Sequence, residues 1–103
     1  MRGRKKLGAQ EALLAKALVA IKDLPEANRL LRVTLTRREI ASVAKRFSVV
    51  YWELKARAAG KKVTQRALVK GVGCAPANVV RARRALLDED QDQRFAAFVA
   101  RLF

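Results

Sequence analysis

Residues 64–87 read TQRALVKGVGCAPANVVRARRALL, two short helices folded over a glycine turn. Thr64 can cap the first helix through its hydroxyl, Leu68, Val69 and Val72 recur at the spacing of one buried face, and Gly73 tolerates φ > 0 where the chain must reverse. Pro76, with its fixed φ and missing N–H, suits the first turn of a second helix. Val79, Ala82 and Leu86 then follow at i, i+3 and i+7, which turns that face inward. At about 100° per residue, Ala77, Arg81, Arg84 and Asp88 fall on the opposite face. A helix pinned by its apolar side thus presents two guanidinium groups and a small residue outward, a surface that a DNA major groove accepts.

The stretch resembles the helix-turn-helix family of DNA-binding proteins over about a fifth to a quarter of the chain. Counted from Gln65, the family pattern asks for an aliphatic at the fourth place (Leu68), an aliphatic at the eighth (Val72), glycine at the ninth (Gly73) and an aliphatic at the fifteenth (Val79). Val69 stands at the fifth place, usually alanine, and Ala82 at the eighteenth, usually leucine or isoleucine. A looser similarity runs from Ala59 to Val79, AGKKVTQRALVKGVGCAPANV, to the amino-terminal domain of KfrA-type plasmid regulators, which carry a glycine-lysine step, a threonine and a proline opening the second helix. With the helical periodicity elsewhere, the resemblance implies an all-α fold of about five helices built around a helix-turn-helix at 64–87. It also implies a transcriptional regulator, a repressor of bacterial, plasmid or mobile-element origin.

At 103 residues the chain suits one small domain with a modest core. Twenty-three Lys and Arg against nine Asp and Glu give a formal net charge of +14, a self-repulsion that a polyanionic partner relieves. Nucleic acid is the economical partner. Membrane surface competes for any basic chain, but no apolar run approaches the ~20 residues of a span and no segment has the pattern of a signal peptide. The expected location is the cytoplasm, in association with the nucleoid. One cysteine excludes an intramolecular disulfide, and with no histidine beside the lone Cys74 no metal is expected. No cofactor or small-molecule ligand is evident. Cys74, in the turn, reads as a small packing residue rather than a redox sensor, since nothing near it forms a resolving partner.

Upstream, Met1 to Lys6, MRGRKK, holds four positive charges and nothing to bury, a basic arm expected to be disordered alone. It is either a tail laid along phosphates or a solvated terminus. Residues 7–87 form the expected helical DNA-binding domain. Gly8 to Asp23 reads as a helix with Leu14, Ala17, Leu18 and Ile21 on one packing face. Pro25 bends the chain and opens one or two further turns, PEANRLLR, with Leu30 and Leu31 toward the core. Val33 to Thr36, VTLT, is too short for an unpaired strand and reads as a connector. Thr36 and Glu39 form a capping box at the start of the longest helix. Its apolar positions Ile40, Val43, Ala44, Phe47, Tyr51, Leu54 and Ala58 keep a helical rhythm that ends before Gly60. Tyr51 and Trp52 admit a base-stacking reading, but Tyr51 continues the apolar stripe and Trp52 can cover the edge of the core.

After Leu87 the charge reverses, with Asp88, Glu89, Asp90 and Asp92 supplying four of the nine acids. Residues 88–103 read as an acidic linker followed by an amphipathic helix, QRFAAFVARLF, with Phe95, Phe98, Val99 and Leu102 on one face. The linker is either plainly solvated or an acidic edge that limits spreading along a duplex or meets a basic patch on another subunit. The helix is too short to stand alone, so it docks on its own domain or on a second copy.

Base contacts fall to Ala77, Asn78, Arg81 and Arg84. A guanidinium can bond O6 and N7 of guanine together, Ala77 can touch a thymine methyl, and Asn78, toward the side, can reach adenine or phosphate. Phosphate contacts fall to Arg4, Lys5 and Lys6 of the arm and to Thr64, Gln65, Arg66 and Lys70 of the first motif helix. Lys61 and Lys62 either join them, because in helix-turn-helix proteins the region before the motif commonly runs beside phosphates, or belong to a solvated turn. Arg83 lies nearer the core and should reach outward to the backbone. The expected partner is double-stranded DNA, bound by a homodimer over two half-sites about one helical turn apart. The alternative is an architectural or RNA-binding basic protein with little sequence preference. An enzyme is not expected: without histidine, and with carboxylates concentrated in one linker, no acid-base pair or two-metal cluster can be assembled.

Overall fold

Side chains in or next to the first turn cap the starts of the first four helices among the described residues. The computed structural model describes residues 7–103, so the basic arm with Arg4, Lys5 and Lys6 lies outside the described residues. Six helices follow in order, α1 (Ala9–Ala20), α2 (Leu24–Thr34), α3 (Arg37–Ala58), α4 (Gln65–Val72), α5 (Pro76–Glu89) and α6 (Arg94–Ala100). The fold is all-α, with no strand among the described residues. The chain divides into two units, one ending at Ile40 and one comprising Ala41–Phe103.

In the first unit, the Gly8 N–H donates to the Glu11 carboxylate at 2.7 Å and starts α1. That helix ends at Ala20, short of the expected Asp23, because Ile21 turns extended and Asp23 serves the next helix. Asp23 Oδ1 accepts from the Glu26 N–H at 3.0 Å, while Glu26 Oε1 accepts from the Lys22 N–H at 2.9 Å. This reciprocal pair, with Pro25 in the first turn, gives α2 a start of its own. The described residues thus hold six helices where about five were expected. α2 also takes in Val33 and Thr34, which the sequence assigns to a connector. The Thr34 hydroxyl donates to the Leu30 carbonyl one turn back, so the polar side chain is satisfied in helical geometry.

No residue from Leu7 to Ile40 is buried. Leu14 and Leu18 on α1 and Leu31 on α2 stay exposed, contrary to the packing expected of them. For α1 the cause is compositional. Leu13, Leu14, Leu18, Val19 and five alanines are spread round α1, so no single stripe is selected for burial.

The Thr36–Glu39 capping box forms as read. The Thr36 N–H donates to Glu39 Oε1 at 2.8 Å and the Glu39 N–H to Thr36 Oγ1 at 3.1 Å. α3 then runs unbroken for 22 residues. Ser48 does not interrupt it, since its hydroxyl donates to the Ala44 carbonyl at 2.8 Å.

The second unit is built on two small apolar clusters that share α3 and α5. Val49, Leu68 and Val79 form the first, with Val63, Val69, Val72, Cys74 and Ala82 packed round them. Leu54, Leu86 and Val99 form the second, with Val50, Tyr51, Phe95 and Ala96. The buried positions of α3 are therefore Val49, Glu53 and Leu54, not the expected stripe. Of that stripe only Leu54 is buried, and Val43, Ala44, Phe47 and Ala58 are exposed. A helix with partners on two sides buries a broader arc, centred elsewhere than the line its apolar residues suggest.

Thr64 Oγ1 accepts from the Ala67 N–H at 3.0 Å and caps α4. The helix ends on Gly73 in the left-handed region (φ 76°, ψ 44°), whose N–H donates to the Val69 carbonyl at 2.9 Å. Pro76 opens α5. α5 continues through Asp88 and Glu89, so the expected linker contributes its first two acids to a helix. Asp90 is not merely solvated either: its two carboxylate oxygens accept from the N–H groups of Phe95 at 2.6 Å and Ala96 at 3.0 Å. A carboxylate at that end of α6 also opposes the positive pole of the helix. α6 docks within the chain through Val99, while Phe98 and Leu102 remain exposed.

Leu68→Ala should lower unfolding free energy by about 2–5 kcal/mol through the cavity it opens in the first cluster. Val80→Ala, on the exposed side of α5, should change it by no more than about 0.5 kcal/mol. Urea unfolding followed by circular dichroism measures both, and similar costs would mean that the cluster is misassigned.

Candidate nucleic-acid interface

From Leu54 to Leu87 the chain holds nine Lys or Arg and no Asp or Glu. α5 lies inside this stretch and splits its side chains between two environments. Val79, fully buried, enters the first cluster and Leu86 enters the second, with Ala82 packed on the first. Ala77, Arg81 and Arg84 are exposed on the other side. Rotating α5 about its axis would pull Val79 and Leu86 out of both clusters at once, so the outward presentation of the two guanidinium groups is held by burial on the opposite face. Asn78 is half-buried at the flank, its N–H donating to the Ala75 carbonyl at 3.0 Å.

Other expected contact residues lie on α4 and in the loop before it. Gln65, Arg66 and Lys70 are exposed on α4. The Thr64 oxygen accepts the cap bond, which leaves the hydroxyl proton for an outside acceptor. Lys61 and Lys62 are exposed just after Gly60, whose positive φ of 71° turns the chain out of α3. The Lys61 N–H donates to the Ala56 carbonyl at 2.8 Å, so the backbone of this loop is tied to the helix it leaves.

Arg83 is placed differently from its expected outward reach. Its Nε donates to Glu53 Oε1 at 3.1 Å and its Nη2 donates to the Val63 carbonyl. Arg57, one turn beyond Glu53 on α3, donates through Nε at 2.9 Å and approaches through Nη2 at 2.8 Å, both to Glu53 Oε2. Glu53 is only 8% exposed, and each of its oxygens is taken by one arginine. Neither Glu53 nor Arg57 stands out as a site residue by motif. A signal was present all the same: Glu53 is the only acid between Glu39 and Asp88, and a lone carboxylate in a basic stretch is drawn to a cation.

Tyr51 and Trp52 pack edge to face at 5.0 Å, and Tyr51 meets Phe103 in the same manner at 5.6 Å. Lys55 Nζ stands 5.2 Å from the Trp52 ring centre and 5.7 Å from that of Tyr51, so a cation already lies over these rings.

No helix among the described residues is long and apolar enough to cross a membrane. Compared with known protein families, with curated proteins and with solved structures, the chain finds no match.

Glu53→Ala removes the acceptor shared by two arginines in a largely buried position and should destabilise the protein by about 1–3 kcal/mol. Asp92→Ala, which removes an exposed partner of Arg94, should cost at most about 1 kcal/mol. Chemical denaturation of the two variants checks the contrast, and equal costs would show that Glu53 holds nothing together.

Proposed function

We propose that the protein binds double-stranded DNA in a sequence-specific manner, with α4, the turn at Gly73 and α5 acting as a helix-turn-helix and α5 lying in the major groove. The observation that carries this reading is the division of α5. Val79 and Leu86 anchor one side, and Ala77, Arg81 and Arg84 stand exposed on the other, within a stretch of nine cations and no acids. Fork-shaped guanidinium donors on a rigidly held helix suit the O6 and N7 acceptors of guanine. The small Ala77 near the helix start permits close approach of backbone to base edges. Exposed Lys61, Lys62, Gln65, Arg66 and Lys70 supply the sequence-independent share by neutralising phosphates. In this reading the protein is a transcriptional regulator, a repressor acting in the cytoplasm on the nucleoid, and it works as a homodimer because one such helix reads only a few base pairs.

Selection from a randomised duplex library at low and near-physiological salt tests the proposal. Enrichment of one motif that survives the higher salt is the expected result, with inverted symmetry in that motif if two copies bind. Binding without enrichment, lost as salt rises, would instead assign the chain to architectural or RNA-associated proteins. On the enriched site, Arg81→Ala should flatten preference at one base pair by about 1–3 kcal/mol. Lys70→Ala should weaken all sequences alike and reduce the salt slope by about 1. Identical behaviour of the two variants would remove the recognition role from α5. Sedimentation of the protein free and on its site should show two copies per duplex, and one copy in both states would end the dimer reading.

A further inference from the structure

The Glu53 ion pairs line one wall of a cleft of about 370 Å³, whose other walls are Lys61, Lys62 and Val63. Four cations, Arg57, Lys61, Lys62 and Arg83, meet there against a single carboxylate. That surplus is a repulsion which a multiply charged anion would relieve. The two arginines are pre-positioned. Glu53 holds Arg57 through Oε2 and Arg83 through Oε1, and the Val63 carbonyl holds Arg83 again. Each guanidinium carries five N–H donors, and the Nη1 of neither arginine takes part in these bonds, so both retain donors for a further acceptor. The lysines arrive on a backbone that is itself tied down, by the Lys61 N–H bond to Ala56 and the turn at Gly60. Two oriented forks and two flexible point charges round one space form a donor set for a tetrahedral oxyanion.

We propose that this cleft, between the last turns of α3, the loop that follows Gly60 and the middle of α5, binds a phosphate group. Arg83 sits between Arg81 and Arg84 in sequence on α5, so a phosphate held here lies on the flank of the helix assigned to the groove. That part of the inference rests on the DNA-binding reading, and the phosphate comes either from a nucleic-acid backbone or from a free phosphorylated molecule. A bound phosphate at this position would set the register of α5 along a duplex without reading any base.

The test is titration of the full chain with inorganic phosphate, chloride being exchanged to hold ionic strength constant, followed by amide and arginine Nε–H NMR. Saturable shifts are expected at Arg57, Arg83 and the amides of Lys61 to Val63. Lys61→Gln/Lys62→Gln, which alters two exposed side chains and leaves Glu53 and both arginines intact, should weaken phosphate binding by about tenfold or more. No saturable response, or an undiminished one in the double variant, overturns the proposal. A second arm adds duplex DNA to the phosphate-loaded protein. Displacement of phosphate identifies the backbone as the source, whereas a duplex that binds without displacing it identifies a free phosphorylated molecule. Phosphate binding with no duplex binding sustains the cleft and defeats the DNA reading. Duplex binding with no phosphate response does the reverse.

Discussion

Glu53 joins three parts of the second unit that apolar packing alone would leave free to slide. Its carboxylate reaches Arg57 on its own helix and Arg83 on α5, and Arg83 continues to the Val63 carbonyl in front of α4. The two apolar clusters supply most of the driving force, but burial is non-directional and roughly proportional to area. Hydrogen bonds to a carboxylate have fixed lengths and directions. A largely buried ion pair contributes modest net stability once desolvation is counted, so what Glu53 adds is alignment. It sets how far along α3 the middle of α5 lies, and how the loop enters α4.

The α4–α5 pair was the most legible part of the chain because its determinants are local. A hydroxyl three residues before the amide it caps, a glycine where φ must be positive and a proline at a helix start each act within one turn of the backbone. Leu68, Val79 and Leu86 followed from periodicity in the same way. Legibility failed where the outcome depends on distant partners. The apolar rhythm of α3 suggested one stripe, but Val49 faces α4 and α5 while Leu54 faces α5 and α6, and no pattern within α3 announces that division. Arg83 reads in sequence as reaching outward, because its partner lies thirty residues earlier. The Asp23–Glu26 start of α2 is different. It was fully local, and the pattern lies in plain view beside Pro25.

Arg81, Arg83 and Arg84 occupy four consecutive positions with Ala82, yet they meet different surroundings. Two stand in solvent and one is tied to a carboxylate and a carbonyl. Helical angle alone decides which is which. The same rotation that buries Val79 and Leu86 sends Arg81 and Arg84 out and swings Arg83 toward α3. For the candidate site, then, the position of each cation follows from core packing, and composition alone would have treated the three as equivalent.

The separation of the two faces of α5 also bears on how such a chain can change over generations. Ala77, Arg81 and Arg84 belong to neither cluster, so their replacement leaves the contacts that fold the unit untouched. Two duplicated copies of the gene could drift apart at these three codons while folding equally well, and on the proposed reading they would come to recognise different targets. Val79, Ala82 and Leu86, threaded between them, would record common descent long after the outward residues had ceased to.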